Sequence, residues 1–255
     1  MIIKRDFNYD PKNVNRRLHI YLPDDYFDSD ERYPVMYFFD GHNLFYDSDA
    51  TYGKSWGLKE FLDNWDKKMI VVGMECGHDG YERLSEYLPY PPFRKWFGDM
   101  EPMGDATMWW IVNCVKPFID WEYRTYGHRE ATGIGGSSMG GLMALYALVH
   151  YNYVFSKGAC VSSAIGMCFP SLMRDMNASY IDSDTRAWLS WGTKEAKVPD
   201  YEIDCHSHMY RNNKAAANKF LLRGAMPQLW CQLEGSHCEA DWEKQVPLFM
   251  DFLWK

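Results

Sequence analysis

Gly135-Gly136-Ser137-Ser138-Met139-Gly140-Gly141 is the stretch that decides how the rest of the chain is read. Just before it, Ala131 to Gly136 is a short run of small and apolar residues that predicts a strand ending in glycines. Just after it, Met139 to His150 is apolar at almost every position, which predicts a helix buried all round. Between them lies a G-x-S-x-G pentapeptide, Gly136 to Gly140. A serine at the centre of such a turn is held in a strained backbone conformation at the end of the strand, and the flanking glycines let strand and helix approach closely. The free N–H groups at the helix N-terminus then favour negative charge developing beside the serine. Only Ser138 is centred between the glycines, so Ser138 rather than Ser137 is the candidate nucleophile.

On the N-terminal side of this turn, Arg17 to Leu22 alternates polar and apolar residues as a half-exposed strand does. Pro34 to Phe39 and Met69 to Met74 are continuous apolar runs, which suit strands buried on both faces. Gly57 to Trp65 and Thr107 to Trp121 have helical spacing. On the C-terminal side, Gly158 to Ser162, Ala187 to Trp191 and Gln228 to Leu233 read as strands. Ile165 to Asp184 reads as irregular, Glu202 to Gly224 as a long helix stopped by Gly224, and Asp241 to Leu253 as the last helix. No repeat or linker interrupts the pattern. The expectation is an α/β fold in one domain over residues 1–255, with a mostly parallel central sheet and helices on both faces. Right-handed crossovers place the loops that follow the strands along one sheet edge, where sites of such folds lie.

Composition narrows the function classes. Hydrophobic residues make up 47% of the 255, enough for a substantial core and too many for a disordered chain. The formal net charge is −8 and the basic residues are dispersed, which argues against nucleic acid and anionic membrane as partners. No apolar stretch approaches a membrane span, and charge at Lys4 and Arg5 interrupts the N-terminus before any signal-like apolar run. The seven cysteines are odd in number and form no C-x-x-C pair, which suits reduced thiols in a cytoplasmic protein. Eleven Trp could line a groove for a sugar or an aromatic group, or build a homo-oligomer interface, and composition leaves both open.

A serine nucleophile needs a base, and the base needs an acid to orient it. In sheets of this kind the order along the chain is Ser, then Asp or Glu, then His. His237 lies between the last strand and the last helix, on the correct edge, and is the candidate base. His150 ends the helix after Ser138 and should point away; His206 and His208 are two apart on a predicted helix and share no face. For the acid, Trp191-Gly192-Thr193-Lys194-Glu195 offers a carboxylate just after a strand and favours Glu195, with Asp200 and Asp204 as alternatives. Glu239 and Asp241 are expected to cap the last helix. The oxyanion needs N–H donors, expected from the backbone of Met139 and from His42 in Asp40-Gly41-His42-Asn43, with the Asn43 side chain as a further contributor. No metal or organic cofactor is called for.

Asp40-Gly41-His42-Asn43-Leu44-Phe45, Ile70 to Glu75, Glu86-Tyr87, Tyr123-Arg124-Thr125 and Gly235-Ser236-His237 with Trp242 together resemble the putative-esterase family of α/β-hydrolases. That family includes esterase D-like enzymes, feruloyl and acetyl-xylan esterases of carbohydrate esterase family 1, and siderophore esterases. The chain departs from the family's D-G-Q-N-L-F loop at His42, where Gln is usual. The resemblance implies a Ser–acid–His triad with Ser138 and His237 at the matching positions, and Gly192 to Glu195 resembles the family's acid turn. It implies hydrolysis of a carboxylic ester, with acetyl or feruloyl esters of small oligosaccharides as the expected substrates. The alternatives are a siderophore or lactone esterase, a thioesterase, a peptidase, and a catalytically silent binding module. A cluster of Arg or Lys at the pocket mouth would favour an anionic siderophore. Trp96 to Trp110 is a candidate lid.

Overall fold

Every residue of β3 (Val35–Phe39) is buried, and its side chains alternate between two cores. Val35, Tyr37 and Phe39 join one apolar cluster, Met36 and Phe38 the other. That is what an unbroken apolar run does when a strand is covered on both faces. The computed structural model describes residues 1–92, 100–195 and 207–255. Within it, β1 (Ile2–Tyr9), β2 (Val14–Tyr21), β3, β4 (Ile70–Met74), β5 (Thr132–Ser137), β6 (Lys157–Val161), β7 (Arg186–Gly192) and β8 (Met226–Gln232) form one sheet. Their order is β1-β2-β4-β3-β5-β6-β7-β8. β1 and β2 are an antiparallel pair, and β2 runs antiparallel to β4. From β4 to β8 all neighbours are parallel.

The two faces carry different helices. One cluster gathers α3 (Gly104–Trp110), α4 (Lys116–Glu122), α5 (Met139–His150), α6 (Phe169–Ala178) and α7 (His208–Leu221). The other gathers α1 (Leu58–Asn64), α8 (Glu239–Glu243) and α9 (Val246–Leu253). Phe220 and Phe249 are fully buried, one on each face, and each such side chain contributes about 1.5–3 kcal/mol when removed from water. In α5, 11 of 12 residues are buried, so the helix has no wet face. It lies against β5 and β6, with α6 packed over it.

Several elements differ from the sequence expectation. The N-terminal strand β1 went unread because polar residues interrupt its apolar ones; it is an edge strand paired only with β2. The stretch from Ile165 to Asp184 is largely ordered, with a 3-10 turn and then α6, whose Leu172 and Met176 are buried one turn apart. The helix expected over Thr107 to Trp121 begins at Gly104 and passes through a π-helical segment, Ile111–Val115, before α4. The described part of the helix before Gly224 runs from His208, with Ser207 accepting the Tyr210 N–H at 3.0 Å, and Gly224 follows it at φ +75°. The last helix is split at Lys244 and Gln245, and Pro247 opens α9 because it needs no N–H partner there. The candidate lid falls partly on residues 93–99 and the alternatives Asp200 and Asp204 on residues 196–206, outside the described residues; Trp110 is buried and donates to the Asn8 carbonyl at 2.7 Å. Among the described residues no helix is long and apolar enough to cross a membrane. The six cysteines among the described residues are free thiols.

Candidate active site

The parallel strands β3 to β8 all end at the same sheet edge, so the loops after them converge there. Ser138 directly follows β5, at φ 56° and ψ −118°. Its N–H donates to the Val161 carbonyl at 3.0 Å, and its carbonyl accepts from the Ala164 N–H at 2.9 Å. A side chain at Gly136 would put its Cβ 2.8 Å from the Gly140 backbone, so the turn closes only with glycine there. Met139 opens α5, and its N–H is one of the helix's first four donors, which have no intrahelical acceptor.

His237 sits in the loop after β8, half exposed, and Glu195 in the turn after β7, with only 5% of its side chain exposed. His237 Nδ1 and Glu195 Oε2 are 2.7 Å apart. The other oxygen, Oε1, accepts from the Gly192 N–H at 2.8 Å and from Ser162 Oγ at 2.7 Å. Three polar neighbours thus fix the orientation of this carboxyl group. The acid turn and the histidine loop touch: a Cβ on Gly192 would fall 2.2 Å from the Gly235 carbonyl oxygen. Trp242 of α8 stands edge-on to the His237 ring, 5.0 Å between centroids. With its Nδ1 bound to a carboxylate, His237 leaves Nε2 as the atom that could exchange a proton. Ser138 and His237 line one cleft of about 580 Å³.

The loop after β3 forms the opposite wall. His42 lies in a 3-10 turn, Gly41–Asn43, entered through Asp40 at φ 58°. His42 Nε2 is 2.9 Å from Thr51 Oγ1, and burial lowers the pKa of the ring, which favours neutral imidazole. The Asn43 side chain also lines the cleft, accepting from the Thr51 N–H at 3.0 Å and donating toward Glu239 Oε1 at 3.5 Å. Glu239 is the first residue of α8 and lines the cleft; burial raises its pKa, its own backbone N–H opposes this, and Asp40 adds to the rise. Asp241 does bind a loop N–H, that of Ser236, at 2.7 Å. His150 faces elsewhere, bonded to Tyr90 at 2.9 Å. His208 is exposed at the start of α7, and His206 lies outside the described residues. Among the described residues, no group of three or more His, Cys, Asp or Glu side chains is arranged to hold a metal ion.

Sequence reasoning missed the part-buried pair that anchors this loop. Arg83 of α2 (Glu82–Glu86) meets Asp40 with two parallel bonds, 2.7 and 2.8 Å. Burial would raise the Asp40 pKa, but the charge and hydrogen bonds of Arg83 outweigh it and lower it. Nothing in the spacing of residues 40 and 83 signals this contact, since the two meet only across the sheet edge. Arg83→Leu is expected to cost about 3–5 kcal/mol of stability, because it leaves a carboxylate buried without its partner. A urea melt checks this, and a loss below about 1 kcal/mol would sink the account.

A family model described as "Putative esterase" matches residues 12–249. The Bacillus subtilis (strain 168) protein YbbA is 23% identical over 223 residues, which cover 86% of this chain and 84% of that one. The Mycobacterium tuberculosis protein Esterase Rv1288 is 29% identical over 146 residues, 57% of this chain and only 28% of that protein's length. Among solved structures, an IroE-like serine hydrolase from Shewanella oneidensis superposes with a TM-score of 0.75 at 20% identity, covering 99% of this chain and 79% of the other. A ferulic acid esterase superposes with a TM-score of 0.71 at 15% identity, covering 99% and 97%. The Shigella flexneri enterobactin esterase FES gives 0.72 at 16% identity, covering 100% of this chain and 58% of that one. At these identities the structural likeness speaks for the fold.

Proposed function

The chain belongs to the putative esterase family and is a serine esterase, and from that premise we propose that Ser138, His237 and Glu195 are its catalytic triad. The observation that carries the assignment is the 2.7 Å contact between His237 Nδ1 and the buried Glu195, in the cleft that also holds Ser138 on its strained turn. His237 Nε2 takes the Ser138 proton as Oγ attacks the ester carbonyl carbon. The backbone N–H groups of Met139 and His42 receive the oxyanion. The tetrahedral intermediate collapses as His237 protonates the departing alcohol, leaving an acyl-serine. Water, deprotonated by the same imidazole, then releases the acid and returns the proton to Ser138.

The substrate we propose is a neutral carboxylic ester on a hydroxyl-rich alcohol, of the acetylated or feruloylated oligosaccharide kind. The charge lining the cleft supports this. Among its described lining residues the only Arg or Lys is Arg83, already spent on Asp40, while Glu239 adds an acidic group. Among the described residues, an anionic trilactone therefore meets no free cation there. Tyr52 lines the cleft with 81% of its surface exposed and is suited to stacking on a sugar or an aryl ring. The free thiols suit a reducing compartment, which we propose is the cytoplasm. Turnover of p-nitrophenyl acetate and butyrate, methyl ferulate, acetylated xylo-oligosaccharides and a catecholate trilactone tests the reading. The neutral esters are expected to exceed the trilactone in kcat/KM by at least about tenfold, or ~1.4 kcal/mol. The reverse ranking would transfer the assignment to siderophore hydrolysis. No turnover at all, with no labelling of Ser138 by a fluorophosphonate, would leave a binding module.

A further inference from the structure

Ser162 has no role in the reading above, yet it stands where three parts of the site meet. It follows β6, is 1% exposed, and holds φ 44°, a left-handed conformation that strains any residue with a Cβ. Its neighbours grip the nucleophile's turn: Val161 accepts the Ser138 N–H and Ala164 donates to the Ser138 carbonyl. Its own hydroxyl reaches the other way, 2.7 Å from Glu195 Oε1 and 3.0 Å from Trp242 Nε1.

The direction of these two bonds is forced. An indole N–H can only donate and a carboxylate can only accept, so the Ser162 proton goes to Glu195. The result is a one-way chain from Trp242 N–H to Ser162 O–H to Glu195 Oε1. With Oε1 taken by Ser162 and by the Gly192 N–H, the carboxylate cannot rotate freely, and Oε2 is left facing His237 Nδ1. Trp242 acts twice, since its ring also stands edge-on to the imidazole. We propose that Ser162, aimed by the Trp242 indole, is a positioning residue that sets the Glu195–His237 pair and ties it to the turn carrying Ser138. The proposal rests on the triad reading.

Two variants of the full chain separate the hydroxyl from the fold around it. Ser162→Gly removes the O–H and suits the positive φ, because glycine adopts that conformation without strain. Trp242→Phe keeps an aromatic ring beside His237 and removes the N–H. Each is assayed on p-nitrophenyl acetate alone and combined with Glu195→Ala, with wild type and Ser138→Ala as controls. Ser162→Gly is expected to lower kcat by about 10- to 100-fold with KM within about twofold, since a bond to a charged acceptor is lost. Trp242→Phe is expected to lower kcat by about 3- to 10-fold, the range for a neutral pair. In the Glu195→Ala background Ser162→Gly should cost nothing further, because its effect runs through that carboxylate. A kcat for Ser162→Gly within about twofold of wild type overturns the proposal. So does a loss that persists in full without Glu195, which marks a purely architectural role. An inactive wild type or an active Ser138→Ala overturns the triad reading itself, and the controls alone tell that outcome from the others.

Discussion

Ser138→Ala is expected to lower kcat for p-nitrophenyl acetate by about five to six orders of magnitude, down to what the cleft and its N–H donors achieve without a nucleophile. The change removes only Oγ. Backbone bonds from Ser138 to Val161 and Ala164 hold the turn and survive the substitution, so the variant should fold. Alanine meets the same unfavourable φ of 56° as serine does, so little change in stability is expected from the backbone. Fluorophosphonate labelling should vanish with turnover, because phosphylation needs the same activated oxygen. Substantial labelling of Ser138→Ala would place the nucleophile elsewhere in the cleft.

Glu195→Ala carries the second-largest expected effect, about four orders of magnitude in kcat with KM little changed. Once the carboxylate is gone, nothing at Nδ1 selects the tautomer that leaves Nε2 free to take the serine proton. The imidazolium formed as Ser138 attacks also loses the negative charge 2.7 Å away that balances it. Glu195 has only 5% of its side chain exposed and is not among the described residues that line the cleft, so binding should hold. Asp200→Ala and Asp204→Ala, made in parallel, should each stay within about threefold of wild type, because the triad reading gives the role of acid to Glu195. A full loss in either, with activity kept in Glu195→Ala, would transfer the role of acid.

Much of the fold was legible because the core demands a distinct pattern from each layer. Pro34 to Phe39 and Met69 to Met74 announced doubly covered strands, and β3 and β4 are there, wholly buried. Met139 to His150 announced a helix without a polar face, and α5 is that helix. The edge strand β1 escaped because half of its surface meets water, which leaves no continuous apolar run to read. Helix α6 was legible but went unread: Phe169, Leu172, Met173 and Met176 fall at i, i+3, i+4 and i+7, the spacing of one helix face, and that face joins the core against α5 and α7.

The chain order of serine, carboxylate and histidine and the G-x-S-x-G turn lie in the sequence, because backbone conformation and element order are local properties. Glycines are needed where strand and helix touch, and the run that follows must be apolar to bury its helix. Contacts between loops are another matter. Residues 40 and 83, 162 and 195, or 195 and 237 come together only because six parallel strands end at one edge and bring their loops within bonding distance. No periodicity records those meetings. The bidentate Arg83–Asp40 pair, the turn of Glu239 into the cleft and the Trp242–Ser162–Glu195 chain were therefore decided by the tertiary structure alone. Side-chain bonds of 2.7 to 3.0 Å depend on where distant backbones cross, and the residues themselves do not encode that crossing.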